Sequence, residues 1–224
     1  MFVKICGITR ESDALLAVAM GADAVGFTFA PSVRQIAPTI ARDIAKRLPP
    51  EILTVGVFRD EASARVVDIV NSAGLRAAQL HGHESAEDTR FIRQRVPFVI
   101  KAFAAGDPAL ADAASYGADA ILIDSPRPGS GEVFDWTLAE GAPDGLRVIL
   151  AGGLTPENVA GAIARVGPWG VDVASGVEAE RGEPGQKDAH KVKAFIEAAQ
   201  AAEPDGYRLG QSEEPYDWML DDRS

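Results

Sequence analysis

A chain of 224 residues, 46% of them hydrophobic, has enough apolar content to bury one ordinary globular core. Its net charge of −11 argues against nucleic acid as a partner, and its single cysteine excludes an intrachain disulfide framework. No charged-then-apolar leader opens the sequence and no apolar run approaches the roughly 20 residues a membrane helix needs, so a soluble, cytoplasmic protein is expected, with no membrane partner.

Short apolar runs occur near residues 2–6, 24–29, 53–58, 77–80, 98–103, 119–124, 147–151 and 170–174. Ala-rich amphipathic stretches of helix length separate most of them. Eight strands alternating with helices within about 200 residues predict an α/β fold, a (β/α)8 TIM barrel forming a single domain over residues 1–202, in preference to a doubly wound sheet. The runs are nearly continuous in apolar residues, as strands covered on both faces are. An internal repeat supports the count. Met20-Gly21-Ala22-Asp23-Ala24-Val25 recurs as Tyr116-Gly117-Ala118-Asp119-Ala120-Ile121, before the second and sixth strands. Ala73-Gly74-Leu75-Arg76-Ala77 and Trp169-Gly170-Val171-Asp172-Val173 hold similar places before the fourth and eighth. Each of these glycines is expected where a helix ends, in the left-handed cap position.

In chain order, the first strand ends in Val3-Lys4-Ile5-Cys6-Gly7-Ile8-Thr9. Alternation puts Lys4 and Cys6 on one face, roughly 6–7 Å apart. The loop after the second strand carries Arg34, either a solvated charge or a clamp for a substrate carboxylate. The fourth strand ends Gln79-Leu80-His81-Gly82-His83; two histidines without an acidic or His-rich partner set on other strand ends make a poor metal site, and none is expected. Asp107-Pro108 and Thr155-Pro156 each place a capping side chain before a proline at the first helical position. The sixth strand ends on Asp124, which either caps the next loop or faces the barrel mouth. Gly129-Ser130-Gly131 lacks the third glycine of a dinucleotide fingerprint. Gly152-Gly153 after the seventh strand and Ser175-Gly176 after the eighth are small and rich in backbone donors, in the slots where this architecture usually holds phosphate. Lys4 and Asp172 lie on strands one and eight, neighbours in a closed barrel, and are expected to pair inside it. Residues 203–224 carry seven acids and two arginines and lack sustained periodicity. They are expected to be a solvated acidic tail, flexible or loosely docked through Tyr207, Tyr216, Trp218 and Leu220.

Several of these segments together carry a family resemblance. Lys4-Ile5-Cys6-Gly7-Ile8-Thr9, Gly21-Ala22-Asp23-Ala24-Val25-Gly26-Phe27, Gln79-Leu80-His81-Gly82, Phe134-Asp135-Trp136, Ala151-Gly152-Gly153-Leu154-Thr155-Pro156-Glu157-Asn158-Val159 and Asp172-Val173-Ala174-Ser175-Gly176-Val177-Glu178 resemble phosphoribosylanthranilate isomerase, a tryptophan-biosynthesis enzyme, in order from about residue 2 to 200. The resemblance implies a cofactor-free (β/α)8 barrel acting on a small-molecule phosphoribosyl substrate; both a monomer and a homodimer are compatible with it. It implies an Amadori rearrangement of N-(5-phosphoribosyl)anthranilate to 1-(2-carboxyphenylamino)-1-deoxyribulose 5-phosphate. It assigns Cys6 as general base, Asp124 as general acid and Arg34 as the holder of the anthranilate carboxylate. His81, Gly152, Gly153, Ser175 and Gly176 would complete the substrate site.

Such a reaction needs an acid beside the ribose ring oxygen and a base beside C2′. An unperturbed thiol titrates near about 8.5 and an unperturbed Asp near about 3.9, so each starts in the wrong protonation state near neutrality. Ser125-Pro126-Arg127-Pro128-Gly129-Ser130-Gly131-Glu132 matches the family's Gly-Gly-Thr-Gly segment only in part, with Glu132 where a basic residue is common. Two other readings stand beside the isomerase. A different phosphosugar barrel enzyme would need either spread metal ligands or working lysines such as Lys4 and Lys101. A non-catalytic phosphoribosyl-binding scaffold would leave Cys6, Asp124 and Arg34 without a task.

Overall fold

The computed structural model describes residues 1–125 and 145–202. The segment with Glu132 and Phe134-Asp135-Trp136, and the acidic tail from 203 onward, lie outside the described residues. Eight strands, β1 (Phe2–Ile5), β2 (Ala24–Thr28), β3 (Leu53–Phe58), β4 (Ala77–Leu80), β5 (Phe98–Ala104), β6 (Ala120–Asp124), β7 (Val148–Leu150) and β8 (Gly170–Val173), pair in parallel round a closed ring. β8 closes on β1 with Lys4 opposite Asp172. Helices α1 (Glu11–Ala19), α2 (Pro38–Ala45), α3 (Ser63–Ser72) and α4 (Ala86–Arg93) follow the first four strands, and α5 (Val159–Val166) and α6 (Ala189–Ala201) follow β7 and β8. Pro108–Tyr116, after β5, is 3-10 rather than α-helical. This is the expected (β/α)8 barrel.

Strand alternation divides the core in two. Val3, Ile5, Val25, Ile121, Ile123 and Val171 face the helices, while Phe2, Leu53, Ile100, Leu122 and Ile149 fill the barrel interior. Continuing the inward rows toward the strand C-termini replaces apolar groups by polar ones: Phe2 by Lys4 and Cys6, Ala77 by Gln79 and His81, Leu122 by Asp124. The floor is hydrocarbon and the mouth is chemistry.

The quarter repeat has a physical basis. Asp23 Oδ2 accepts from the Val3 N–H at 2.8 Å and Asp119 Oδ2 from the Val99 N–H at 2.7 Å, so the repeated aspartate fastens β2 to β1 and β6 to β5 in the same way. Gly21, Gly74 and Gly117 take positive φ after their helices, as expected. Gly170 does not. It is the first residue of β8, and Gly167, with φ 59°, caps α5 instead. Gly170 is needed for packing, because a Cβ there would meet the Phe2 ring at 2.8 Å, where Phe2 stacks on Trp169. Two helix starts also differ in kind. Asp107 caps the 3-10 segment through the Ala109 N–H at 2.9 Å. Thr155 accepts from the Glu157 N–H at 3.3 Å, but α5 proper begins only at Val159, after a turn closed by Asn158, whose side chain bonds the Thr155 N–H and the Gly153 carbonyl.

Candidate active site

A cavity of about 380 Å³ opens at the C-terminal ends of the strands. Cys6 from the end of β1 and Asp124 from the end of β6 both line it, three strands apart round the ring. Arg34, His81, Gly152, Gly153 and Ser175 line it too. Gly176 stands behind the lining. A Cβ there would collide with the Leu154 carbonyl oxygen, so glycine at 176 lets the loops after β7 and β8 lie against each other.

Lys4 is fully buried and its ammonium donates to Asp172 Oδ1 at 2.9 Å, the pairing expected from the barrel closure. Burial works to lower the Lys4 titration, but Asp172 and Cys6 outweigh it and hold the lysine above its ordinary value. Cys6 is pushed up, by burial first; Lys4 opposes the shift and Asp172 adds to it. The site therefore holds a neutral thiol over the Lys4–Asp172 ion pair. Gly26 makes the space for this meeting, since a Cβ there would lie 2.7 Å from Cys6 Sγ and 3.2 Å from Lys4 Nζ. Replacing Lys4 by methionine strands a carboxylate inside the barrel, and a loss of about 3–5 kcal/mol is expected in urea unfolding. An unchanged midpoint would show that Asp172 does not need its partner.

Arg34 reaches the cavity across Gly7, where a Cβ would meet its side chain at 2.5 Å. Its guanidinium grips Glu178 with Nε–Oε1 at 2.6 Å and Nη2–Oε2 at 3.1 Å. Lys187 Nζ joins the same Glu178 Oε1 at 3.1 Å. The hydrogen bonds to Glu178 raise the Arg34 titration above its ordinary value. Burial opposes ionisation of Glu178, yet Arg34 and Lys187 together bring its carboxyl below the usual range. Two of the five guanidinium donors are committed to this pair, which fixes the plane of the fork at the cavity wall. Glu178 closes a sequence motif, but nothing in the spacing ties it to residues 34 and 187.

His81 faces inward. Its Nδ1 lies 2.8 Å from Gln79 Nε2 and its Nε2 3.1 Å from Asp124 Oδ2, while Asp124 Oδ1 accepts from the Ser125 N–H at 2.7 Å. His83 is 90% exposed and pairs with Asp60, so the two imidazoles do not converge. Lys101, the other strand lysine, is locked by Glu84 at 2.9 Å and the Gly82 carbonyl at 2.7 Å, away from this cavity. Gly152 and Gly153 have φ of 86° and 66°, a conformation side chains resist, and turn the loop after β7 into the cavity.

The family model for N-(5′-phosphoribosyl)anthranilate isomerase matches residues 3–198. The chain belongs to this family. A relative of that name from Desulforudis audaxviator is 49% identical over 207 residues, spanning 89% of this chain and 98% of that protein. One from Thermotoga maritima is 46% identical over 203 residues, spanning 88% and 97%. The crystal structure of phosphoribosyl anthranilate isomerase from Thermus thermophilus superimposes with a TM-score of 0.83 at 45% identity, covering 90% of this chain and 99% of that one. A further isomerase of the family, 42% identical with a TM-score of 0.78 and the same coverage, is solved in complex with reduced 1-(o-carboxyphenylamino)-1-deoxyribulose 5-phosphate. Both family membership and barrel agree with the expectation from sequence. In this chain, Glu178, Lys187, Gln79 and Asp172 are the site's contributors whose role the sequence did not assign, apart from the Lys4–Asp172 pairing.

Proposed function

We propose that the chain isomerises N-(5′-phosphoribosyl)anthranilate to 1-(2-carboxyphenylamino)-1-deoxyribulose 5-phosphate, a step of tryptophan biosynthesis, with Asp124 as general acid and Cys6 as general base. The observation that carries the assignment is the convergence of a strand-terminal thiol and a strand-terminal carboxyl on one cavity of pentose-phosphate size. Asp124 gives its proton to the ring oxygen, the C1′–O bond breaks toward oxygen, and the anilino nitrogen lone pair forms C1′=N⁺. Cys6, as thiolate, then takes the C2′ proton, and the C2′–H electrons form C1′=C2′ and neutralise the nitrogen. The enolamine ketonises by gaining a proton at C1′ and losing that of the C2′ hydroxyl. Gly152, Gly153 and Ser175 offer backbone donors for the phosphate, and Arg34 takes the anthranilate carboxylate with its donors not spent on Glu178. The paired states of Lys4 and Lys101 speak against a mechanism run by free strand-end lysines.

The assay is loss of the substrate's anthranilate fluorescence on conversion, coupled to removal of the product. Arg34→Ala is expected to raise KM about 10- to 100-fold, the worth of a charge-assisted hydrogen bond, while inhibition by inorganic phosphate stays unchanged. A pure kcat loss would count against the carboxylate role. We also assign residues 1–202 as the catalytic unit, because α6 ends at Ala201 and the family match ends at 198. Deleting 203–224 should keep kcat and KM within about twofold; a collapse of activity would make the tail part of the enzyme.

A further inference from the structure

Gln79 is 1% exposed, yet its amide lines the cavity together with His81 and Asp124. Its Nε2 bonds His81 Nδ1, and its Oε1 is buried with no hydrogen-bond partner among the described residues. An amide nitrogen only donates, so Nδ1 accepts, and the neutral imidazole carries its proton on Nε2 and donates it to Asp124 Oδ2. With the Ser125 N–H on Oδ1, both carboxyl oxygens of Asp124 are then acceptors. Two donors with no acceptor for a carboxyl proton match Asp124 as it is after it has given its proton to the ring oxygen, not before.

A half-turn of the Gln79 amide about its last side-chain bond exchanges the two groups. Oε1 then accepts from His81 Nδ1–H and gains the partner it lacks. His81 Nε2 becomes an acceptor, matched to the O–H of a protonated Asp124. We infer that Gln79 is a positioning residue for the isomerisation: the orientation of its buried amide, passed through the tautomer of His81, sets whether Asp124 holds the proton that opens the ribose ring. The setting seen here is that of the enzyme after ring opening and between turnovers; the other is reached with substrate bound, before the ring opens. Resetting moves one proton from His81 Nε2 to water and one from water to Nδ1, leaving His81 neutral, and recharging Asp124 takes one further proton from solvent. This rests on Asp124 being the general acid.

The test reads the His81 ring nitrogens by ¹⁵N NMR in the full chain, assigned by the signal lost in His81→Asn. The wild type without substrate, at neutral pH, should show the Nε2–H tautomer; a predominant Nδ1–H tautomer there overturns the inference without any variant having to fold. Gln79→Glu, which can only accept at this position, should move His81 to Nδ1–H or to imidazolium. Gln79→Met, of similar size and unable to bond Nδ1 in either sense, should leave a mixture. In kinetics, Gln79→Met should lower kcat about tenfold, part of what a general acid supplies, with KM within about twofold. Because kcat/KM reports the free enzyme, where the wild-type amide holds His81 as a donor to Asp124, both variants should also move the acid limb of that profile to higher pH, Gln79→Glu further than Gln79→Met. A purely structural Gln79 would shift neither limb nor tautomer, and that result overturns the proposal. The two levels separate cleanly: turnover retained in Asp124→Ala removes the acid assignment itself, whereas a dead Asp124→Ala beside a Gln79→Met with wild-type tautomer and pH profile removes only the role of Gln79.

Discussion

Cys6→Ala is expected to lower kcat by about 10²- to 10⁴-fold, the usual worth of a positioned general base, with little change in affinity for a product analogue. The thiol lines the cavity beside the Lys4–Asp172 pair rather than in the apolar core, so the variant should fold and bind. The same residue predicts the pH profile. Catalysis needs Cys6 without its proton and Asp124 with one. Wherever the carboxyl titrates below the thiol, the product of those two fractions is flat between the two titrations and falls above the thiol's. Burial pushes Cys6 up, so the alkaline limb of kcat/KM should lie above the ordinary thiol value of about 8.5. Its loss in Cys6→Ala, along with the activity, would tie that limb to sulfur. A limb at or below the ordinary value would mean that the working thiol is not the buried one described.

Asp124→Ala should cost a similar factor, about 10²- to 10⁴-fold in kcat, by removing the proton donor at the ring oxygen. Asp124→Asn is the sharper variant. It keeps a donor of nearly the same shape beside His81 and Ser125 but cannot release a proton, so it should fold as the wild type and stay inactive. Near-normal turnover in either variant, measured by the fluorescence assay, would leave Asp124 as a loop cap, the bland reading of a strand-terminal aspartate.

Much of this was legible in the chain because barrels write themselves periodically. Eight apolar runs and a repeated Gly-Ala-Asp segment carry the strand number, and closure of the ring makes Lys4 and Asp172 neighbours. Cys6 and Asp124 stood out because each ends a strand abruptly with a reactive group. The local α-helical caps were less legible. Gly170 reads as a helix terminus but serves the Phe2–Trp169 stack, a contact between residues 167 apart in sequence (169 − 2) that no local pattern encodes. Likewise Glu178 bridges Arg34 and Lys187 from different loops. The protonation problem was visible as a mismatch of ordinary titration values; its setting was not, because burial, an ion pair and an amide orientation all act through three-dimensional neighbours. The structure raises the thiol, and the Lys4 ammonium moderates a shift that burial dominates.

The fate of the C2′ proton tests the central claim most directly. Substrate deuterated at C2′ is turned over once by wild type and by Cys6→Ala, and the label in the recovered sugar is measured by mass spectrometry. The account predicts that wild type passes the deuterium to sulfur and loses it to solvent, while Cys6→Ala retains it even where the ring has opened. Label lost at the wild-type rate without the cysteine would place the base elsewhere in the cavity and contradict the assignment.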